Sequence, residues 1–99
     1  KAHPSFYGSQ TYDAAFLIDS GLKQTKGDMS NKDALRKALE KADFKSVRGN
    51  FKFGPNHMPI QNFYLQEAVK DGDQYRMKTV ATIVENDQDK HVSKCKMPN

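Results

Sequence analysis

At 99 residues the chain has room for one domain and excludes a second independent core. Hydrophobic residues make up only 36% of it, a thin supply for a chain this size, so a partner surface or the remainder of a larger protein would help it bury its core. The net charge of +4 comes from 16 Lys and Arg interleaved with 12 Asp and Glu, and the absence of any long like-charged run argues against a nucleic-acid or membrane arm.

In the first half, Ala14, Ala15, Leu17, Ile18 and Leu22 recur at helical spacing, which predicts one stripe packed against a core. Pro4 suits a first helical turn because its missing N–H costs nothing there. Lys23 and Lys26 favour the negative end of the helix dipole, and Gly27 can supply a left-handed stop. A helix over 4–25 is expected. Ser30 and Asp33 resemble a capping box ahead of Leu35, Ala38, Leu39 and Ala42, which predicts a second helix over 31–42. Its outer face, with Lys32, Arg36, Lys37, Glu40 and Lys41, reads as solvated.

The period then changes from 3.6 to 2. Val47, Gly49, Phe51 and Phe53 alternate with Arg48, Asn50 and Lys52, which predicts a short strand. Gly54 to Pro59 is rich in breakers and reads as a connector. Phe63, Leu65 and Val69 alternate with Tyr64 and Ala68, and Met77, Thr79, Ala81 and Ile83 repeat the pattern. Asp71-Gly72 between them predicts a β-hairpin over 62–84 with both turn positions at positive φ. The tail over 85–99 is polar and shows no period. A hairpin alone is marginal in water, so these strands are expected to need more sheet than they supply themselves.

Catalytic and metal chemistry find little to attach to. His3, His57 and His91 lie far apart, no Cys-x-x-Cys pair occurs, and no phosphate loop or nucleophile elbow is present. No metal, cofactor or enzymatic activity is expected. Asp13 and Asp19 read as solvated charges near turns or on outer helix faces, and His57 reads as a hydrogen-bonded loop residue. Cys95 forbids an internal disulfide; it either pairs outside these residues or is a free thiol. Phe6, Tyr7 and Tyr12 cluster at a helix start, where free N–H groups and a partial positive charge suit a carboxylate and aromatic rings supply apolar walls. For any single one of them, packing against a neighbouring element is the plainer and favoured reading.

A longer pattern then emerges. Pro4-Ser5-Phe6-Tyr7, Tyr12-Asp13-Ala14-Ala15, Asp33-Ala34-Leu35 with Leu39, Val47-Arg48-Gly49-Asn50-Phe51-Lys52-Phe53 and Asn56-His57-Met58-Pro59-Ile60-Gln61-Asn62-Phe63-Tyr64-Leu65 follow one another in order. Together they resemble the C-terminal segment of type I periplasmic binding proteins of the leucine/isoleucine/valine receptor class. The Arg-Gly-x-Phe-x-Phe piece and the Asn-His-x-Pro-Ile-Gln piece after it are the most specific. The subset that handles aromatic or other organic acids is the most similar, and its members often end with a lone Cys.

The resemblance implies an α/β fold that is two-lobed in the intact protein, with three crossovers and ligand held between the lobes. Residues 1–58 would belong to the first lobe, 59–62 to a crossover, and 63–99 to a hairpin and tail of the second lobe. Met58, Pro59, Ile60, Gln61 and Asn62 would form the hinge. Tyr7, Ser9 and Tyr12 would approach the ligand. The implied function is that of a periplasmic solute receptor of an ABC importer, binding a small organic acid or amino acid and delivering it to the membrane permease. The alternative is a small basic nucleic-acid-binding or interaction module, and self-association through exposed strand edges is a further expectation.

Overall fold

Two helices and a three-stranded antiparallel sheet make up the computed structural model, which describes residues 3–97. The first helix, α1, spans Phe6–Gln24. Ser5 is its N-cap, extended at φ −89° and ψ 172°, and its hydroxyl accepts a 3.2 Å hydrogen bond from the Gly8 amide. Pro4 therefore precedes the helix and does not open its first turn. At the other end Lys26 and Gly27 both adopt positive φ, so the expected left-handed stop is present and is shared by two residues.

The face that α1 buries differs from the predicted stripe. Asp13, Ser20 and Gly21 are buried and Leu17 and Leu22 half-buried, whereas Ala14, Ala15 and Ile18 face outward. The reason lies in α2, Lys32–Glu40, which packs so closely that a Cβ at position 21 would sit 2.6 Å from Leu39 Cδ2. A stripe of small residues wins over a stripe of larger ones because it lets two backbones approach.

Asn31, not Ser30, caps α2 through a 3.1 Å bond from the Ala34 amide. Ser30 instead donates its hydroxyl and its amide to Asp28, so its side chain is already engaged before the helix starts. Asp33 keeps its favourable place in the first turn. The outer face is exposed as expected, with Arg36 within 3.5 Å of Asp33 and 3.8 Å of Glu40. The helix stops at Glu40, and Ala42, at φ 48°, lies beyond it.

The predicted strand over 47–53 is shorter. Only Phe51–Phe53 forms β1, while Val47 to Asn50 turn. Phe44, Phe51 and Phe53 make a short aromatic row with centroids 5.6 and 5.2 Å apart. Next, β2 (Pro59–Asp71) pairs with β1 at its start and with β3 (Gln74–Asp87) along its length, giving the order β1-β2-β3. The connector before β2 is a turn closed by Gly54 N–H to Met58 O at 2.8 Å.

The hairpin is present and longer than predicted, but its turn shifts by one residue. Asp71 pairs with Gln74, so Gly72 and Asp73 are the two turn positions. Only Gly72, at φ 64°, has positive φ. One positive φ at the first position matches a II′ turn and excludes the I′ turn that Asp-Gly suggested. The tail is also less featureless than expected. β3 continues to Asp87, Asn56 Nδ2 donates to Asp89 at 2.8 Å, and Val92–Lys94 form a 3-10 turn. Residues 98 and 99 of that expected tail, and residues 1 and 2 of the expected first lobe, lie outside the described residues.

Apolar burial is sparse. Ala38 and Ala42 are the only buried apolar side chains among the described residues, while Leu65, Met77, Val80 and Ile83 along the hairpin are at least half exposed. The radius of gyration is 16.6 Å, against about 13 Å for a compact chain of this length. The helices and the hairpin do not collapse onto one another, as the thin hydrophobic content led us to expect.

Candidate functional site

A polar link runs from α1, through the turn at 46–48, to the sheet. Asp13 sits two turns into α1 and is only 2% exposed. Its carboxylate accepts from Ser46 Oγ at 2.5 Å, from the Val47 amide at 3.0 Å and from Arg48 Nε at 2.8 Å. The expectation of a solvated Asp13 is therefore wrong: the turn at Val47 and Arg48, which replaces the predicted strand, aims its amide and side chains at the carboxylate. Asp19 is exposed as expected, and pairs with Lys23 at 2.7 Å.

Burial alone would raise the Asp13 pKa. Hydrogen bonds from Ser46, Arg48 and Val47, together with the Arg48 charge, outweigh it and hold the carboxyl below its ordinary value of 3.8. A folded pKa below the unfolded one means that the stabilisation from Asp13 is complete above pH 3.8 and is lost as the pH falls through the folded value. In denaturant titrations at a series of acid pH values, Asp13→Asn should flatten the dependence of stability on pH below that point.

Arg48 extends the network. Its Nη1 donates to Gln61 Oε1 at 3.1 Å, and its guanidinium lies 4.9 Å from the centroid of the Phe51 ring. Its carbonyl accepts the Tyr64 hydroxyl at 2.7 Å. Gly49 makes this possible, because at φ 94° it adopts a conformation that disfavours side chains, and a Cβ there would collide with the Tyr64 hydroxyl. Gly49→Ala should cost about 1–2 kcal/mol for the left-handed backbone and about 1 kcal/mol more for the displaced hydrogen bond. Urea denaturation checks this, and Tyr64→Phe should show only the smaller part.

A groove of about 740 Å³ opens beside this network, between the start of α1 and the hairpin. That volume lies within the usual range for small-molecule sites. Ser5, Phe6 and Ser9 line one wall, Gln61, Asn62 and Tyr64 the other, with Arg48 and Arg76 contributing cationic groups. Arg76 Nε is 3.1 Å from Asp71, so both arginines enter the groove already oriented by a carboxylate. A smaller depression of about 380 Å³ toward the C-terminal end of α1 is bordered by Asp19, Lys23, Asp43 and Lys45, whose charges cancel.

Of the residues expected near a ligand, Ser9 lines the groove, and its hydroxyl donates to the Ser5 carbonyl at 3.2 Å. Tyr7 and Tyr12 stand outside the lining, 77% and 53% exposed. Tyr7 meets Phe6 edge-on and Tyr12 tilts against Phe16. Of the expected hinge residues, Gln61 and Asn62 line the groove, while Met58 closes the preceding turn and Pro59 and Ile60 begin β2. His57 Nε2 lies 3.3 Å from Glu40, in keeping with a paired loop residue.

Sequence reasoning missed Asp13, Arg48 and Tyr64. The available signal was an acid embedded in an apolar helical run, with Ser46 and Arg48 flanking a valine ahead of Gly49. Among the described residues no group of three or more His, Cys, Asp or Glu gathers to hold a metal ion, and no helix is long and apolar enough to cross a membrane. Cys95 is exposed and unpaired within the chain.

Comparison with known proteins bears on what such a groove could serve. A comparison with curated proteins found no match. Among solved structures, the chain is similar to an ABC transporter solute-binding protein from R. palustris in complex with benzoate, at 34% identity and a TM-score of 0.75. The match covers 92% of this chain and 24% of that protein, so the chain spans about a quarter of its relative's length. The periplasmic binding protein family model matches residues 1–73. With that match covering most of its length, the chain belongs to the periplasmic binding protein family.

Proposed function

We propose that the chain is part of an extracytoplasmic solute receptor of an ABC importer, and that the solute is a small aromatic or other organic acid. The observation that carries this reading is the groove at the start of α1 in a chain of this family. The start of α1 offers free N–H groups suited to a carboxylate, Arg48 and Arg76 add N–H donors whose charges are met by Asp13 and Asp71, and Phe6 and Met77 supply apolar wall. The relative in complex with benzoate supports the choice of solute class. Of the three residues expected to approach the ligand, Ser9 lines the groove, which supports a role in contacting the solute, whereas Tyr7 and Tyr12 lie outside its lining. The role is binding and delivery to a membrane permease, without turnover of the solute.

In this reading residues 1–58 serve one lobe, 59–62 the crossover and 63–99 the other lobe. Closure follows from differential contacts: the solute favours whichever form of the groove gives it more of them. The 16 Lys and Arg are interleaved with 12 Asp and Glu along the chain, and on the exposed face of α2 Arg36 lies beside Asp33 and Glu40, which disfavours the nucleic-acid alternative. Titration calorimetry on the whole protein carrying this chain should show one-to-one binding of benzoate or a related aromatic acid. Absence of heat across aromatic acids, aliphatic acids and branched-chain amino acids would defeat the reading.

A further inference from the structure

Among the described residues, neither α1 nor β2 carries a fully buried apolar side chain. The two buried apolar side chains among the described residues, Ala38 and Ala42, belong to α2 and the turn after it. What spans the gap is Arg48. Its Nε donates to Asp13 on α1 and its Nη1 donates to Gln61 on β2, at 2.8 and 3.1 Å. Its backbone carbonyl accepts from Tyr64, whose hydroxyl also accepts from Asn62 Nδ2 at 3.4 Å, and Asn62 in turn accepts the Asn86 amide of β3 at 2.9 Å. One residue thus starts a continuous chain of hydrogen bonds from α1 through β2 to β3.

The guanidinium group is planar, so the directions of Nε and Nη1 are fixed relative to each other. Binding Asp13 with one and Gln61 with the other sets the orientation of the helix carboxylate against the strand amide, and the Phe51 ring 4.9 Å away supports the plane. Asp13 lies four residues, about one turn, beyond Ser9, so whatever fixes Asp13 also fixes the Ser5 to Ser9 wall of the groove. Gln61 and Tyr64 belong to the opposite wall.

We propose that Arg48 is the positioning residue that sets the angle between α1 and β2, and through it the width of the groove. It need not touch the solute to do so. Its effect on affinity rests on the receptor reading given above. A ligand's apparent Kd rises as the competent fraction falls, so if loss of the Arg48 link leaves about one molecule in ten with the groove correctly spaced, Kd should rise on the order of tenfold.

The test uses the whole protein carrying this chain, with Cys95→Ser and paramagnetic labels placed through Lys23→Cys on α1 and Asp73→Cys at the hairpin turn. Arg48→Met should broaden the label-to-label distance distribution in the absence of solute. Arg48→Lys should rescue it only in part, because one ammonium cannot reproduce the fork. Gln61→Met provides a milder variant that keeps the Asp13–Arg48 pair, and with it the fold, while cutting the link to β2. Leu39→Ala, which weakens the packing of α2 on α1, serves as a control that should lower stability without broadening the distribution. Benzoate Kd is measured on the same proteins.

Broadening in Arg48→Met and Gln61→Met together with weaker benzoate binding supports the proposal. An unchanged distribution in folded Gln61→Met and Arg48→Lys overturns it, whatever the binding data show. Broadening with benzoate Kd unchanged overturns the claim that this angle governs the groove. If the variants broaden but the parent protein binds no acid, the positioning role stands and the receptor reading is the one that fails.

Discussion

Asp13→Ala should destabilise the whole protein by about 3–5 kcal/mol, the range for breaking a buried ion pair by removing one partner. The Arg48 side chain is only 17% exposed and would lose the carboxylate that neutralises it. Ser46 Oγ and the Val47 amide would lose their acceptor at the same time. Asp19→Ala makes the contrast. Its i,i+4 pair with Lys23 is exposed, and such a pair contributes about 0.3–0.5 kcal/mol. Guanidinium denaturation of both variants checks the difference. Asp13→Leu combined with Arg48→Met should cost less than the two single changes summed, because the double variant leaves no unpaired charge. Equal losses from Asp13→Ala and Asp19→Ala would show that the Asp13 carboxylate is solvated after all.

The 99 residues taken by themselves should not give a sharp calorimetric transition. A compact chain of about 100 residues unfolds with about 60–80 kcal/mol of enthalpy, and that enthalpy reflects close packing. Here Ile83 is 63% exposed and Met77 58% exposed, and β3 shows almost no burial along its length. The hairpin amides of the isolated chain should therefore exchange with solvent far faster than the Asp13-facing amide of Val47, read residue by residue by NMR. Within the whole protein the β3 amides should become protected. A full-enthalpy two-state transition in the isolated chain would contradict this account.

Much of this architecture can be read from local chemistry. The Ala14 to Leu22 periodicity, the Gly27 stop and the alternation around Phe63 and Met77 each report a local preference, and each names the correct element. What cannot be read locally is which face of an element meets another. Ala14 and Ile18 look like a core stripe by spacing, yet Gly21 decides the buried side because it allows Leu39 to approach. Val47 to Phe53 alternates like a strand, but Arg48, a polar position in that alternation, and Ser46 just before it are drawn to a carboxylate more than 30 residues earlier. Asp71-Gly72 signals a turn correctly, and the pairing of Asp71 with Gln74 selects which dipeptide occupies it. The groove follows the same logic. Ser9 was reachable through resemblance, whereas Arg48 and Tyr64 became visible only once α1 and β2 were side by side.

The turn at Gly72 has a practical consequence. A side chain built there would meet no atom within 4 Å among the described residues. Small, exposed loop tips of this kind accept spliced-in peptide with little effect on the elements that carry them. An epitope or a circularly permuted fluorescent protein inserted between Gly72 and Asp73 would ride on the end of the hairpin, and any swing of that arm relative to the helices would become an optical signal.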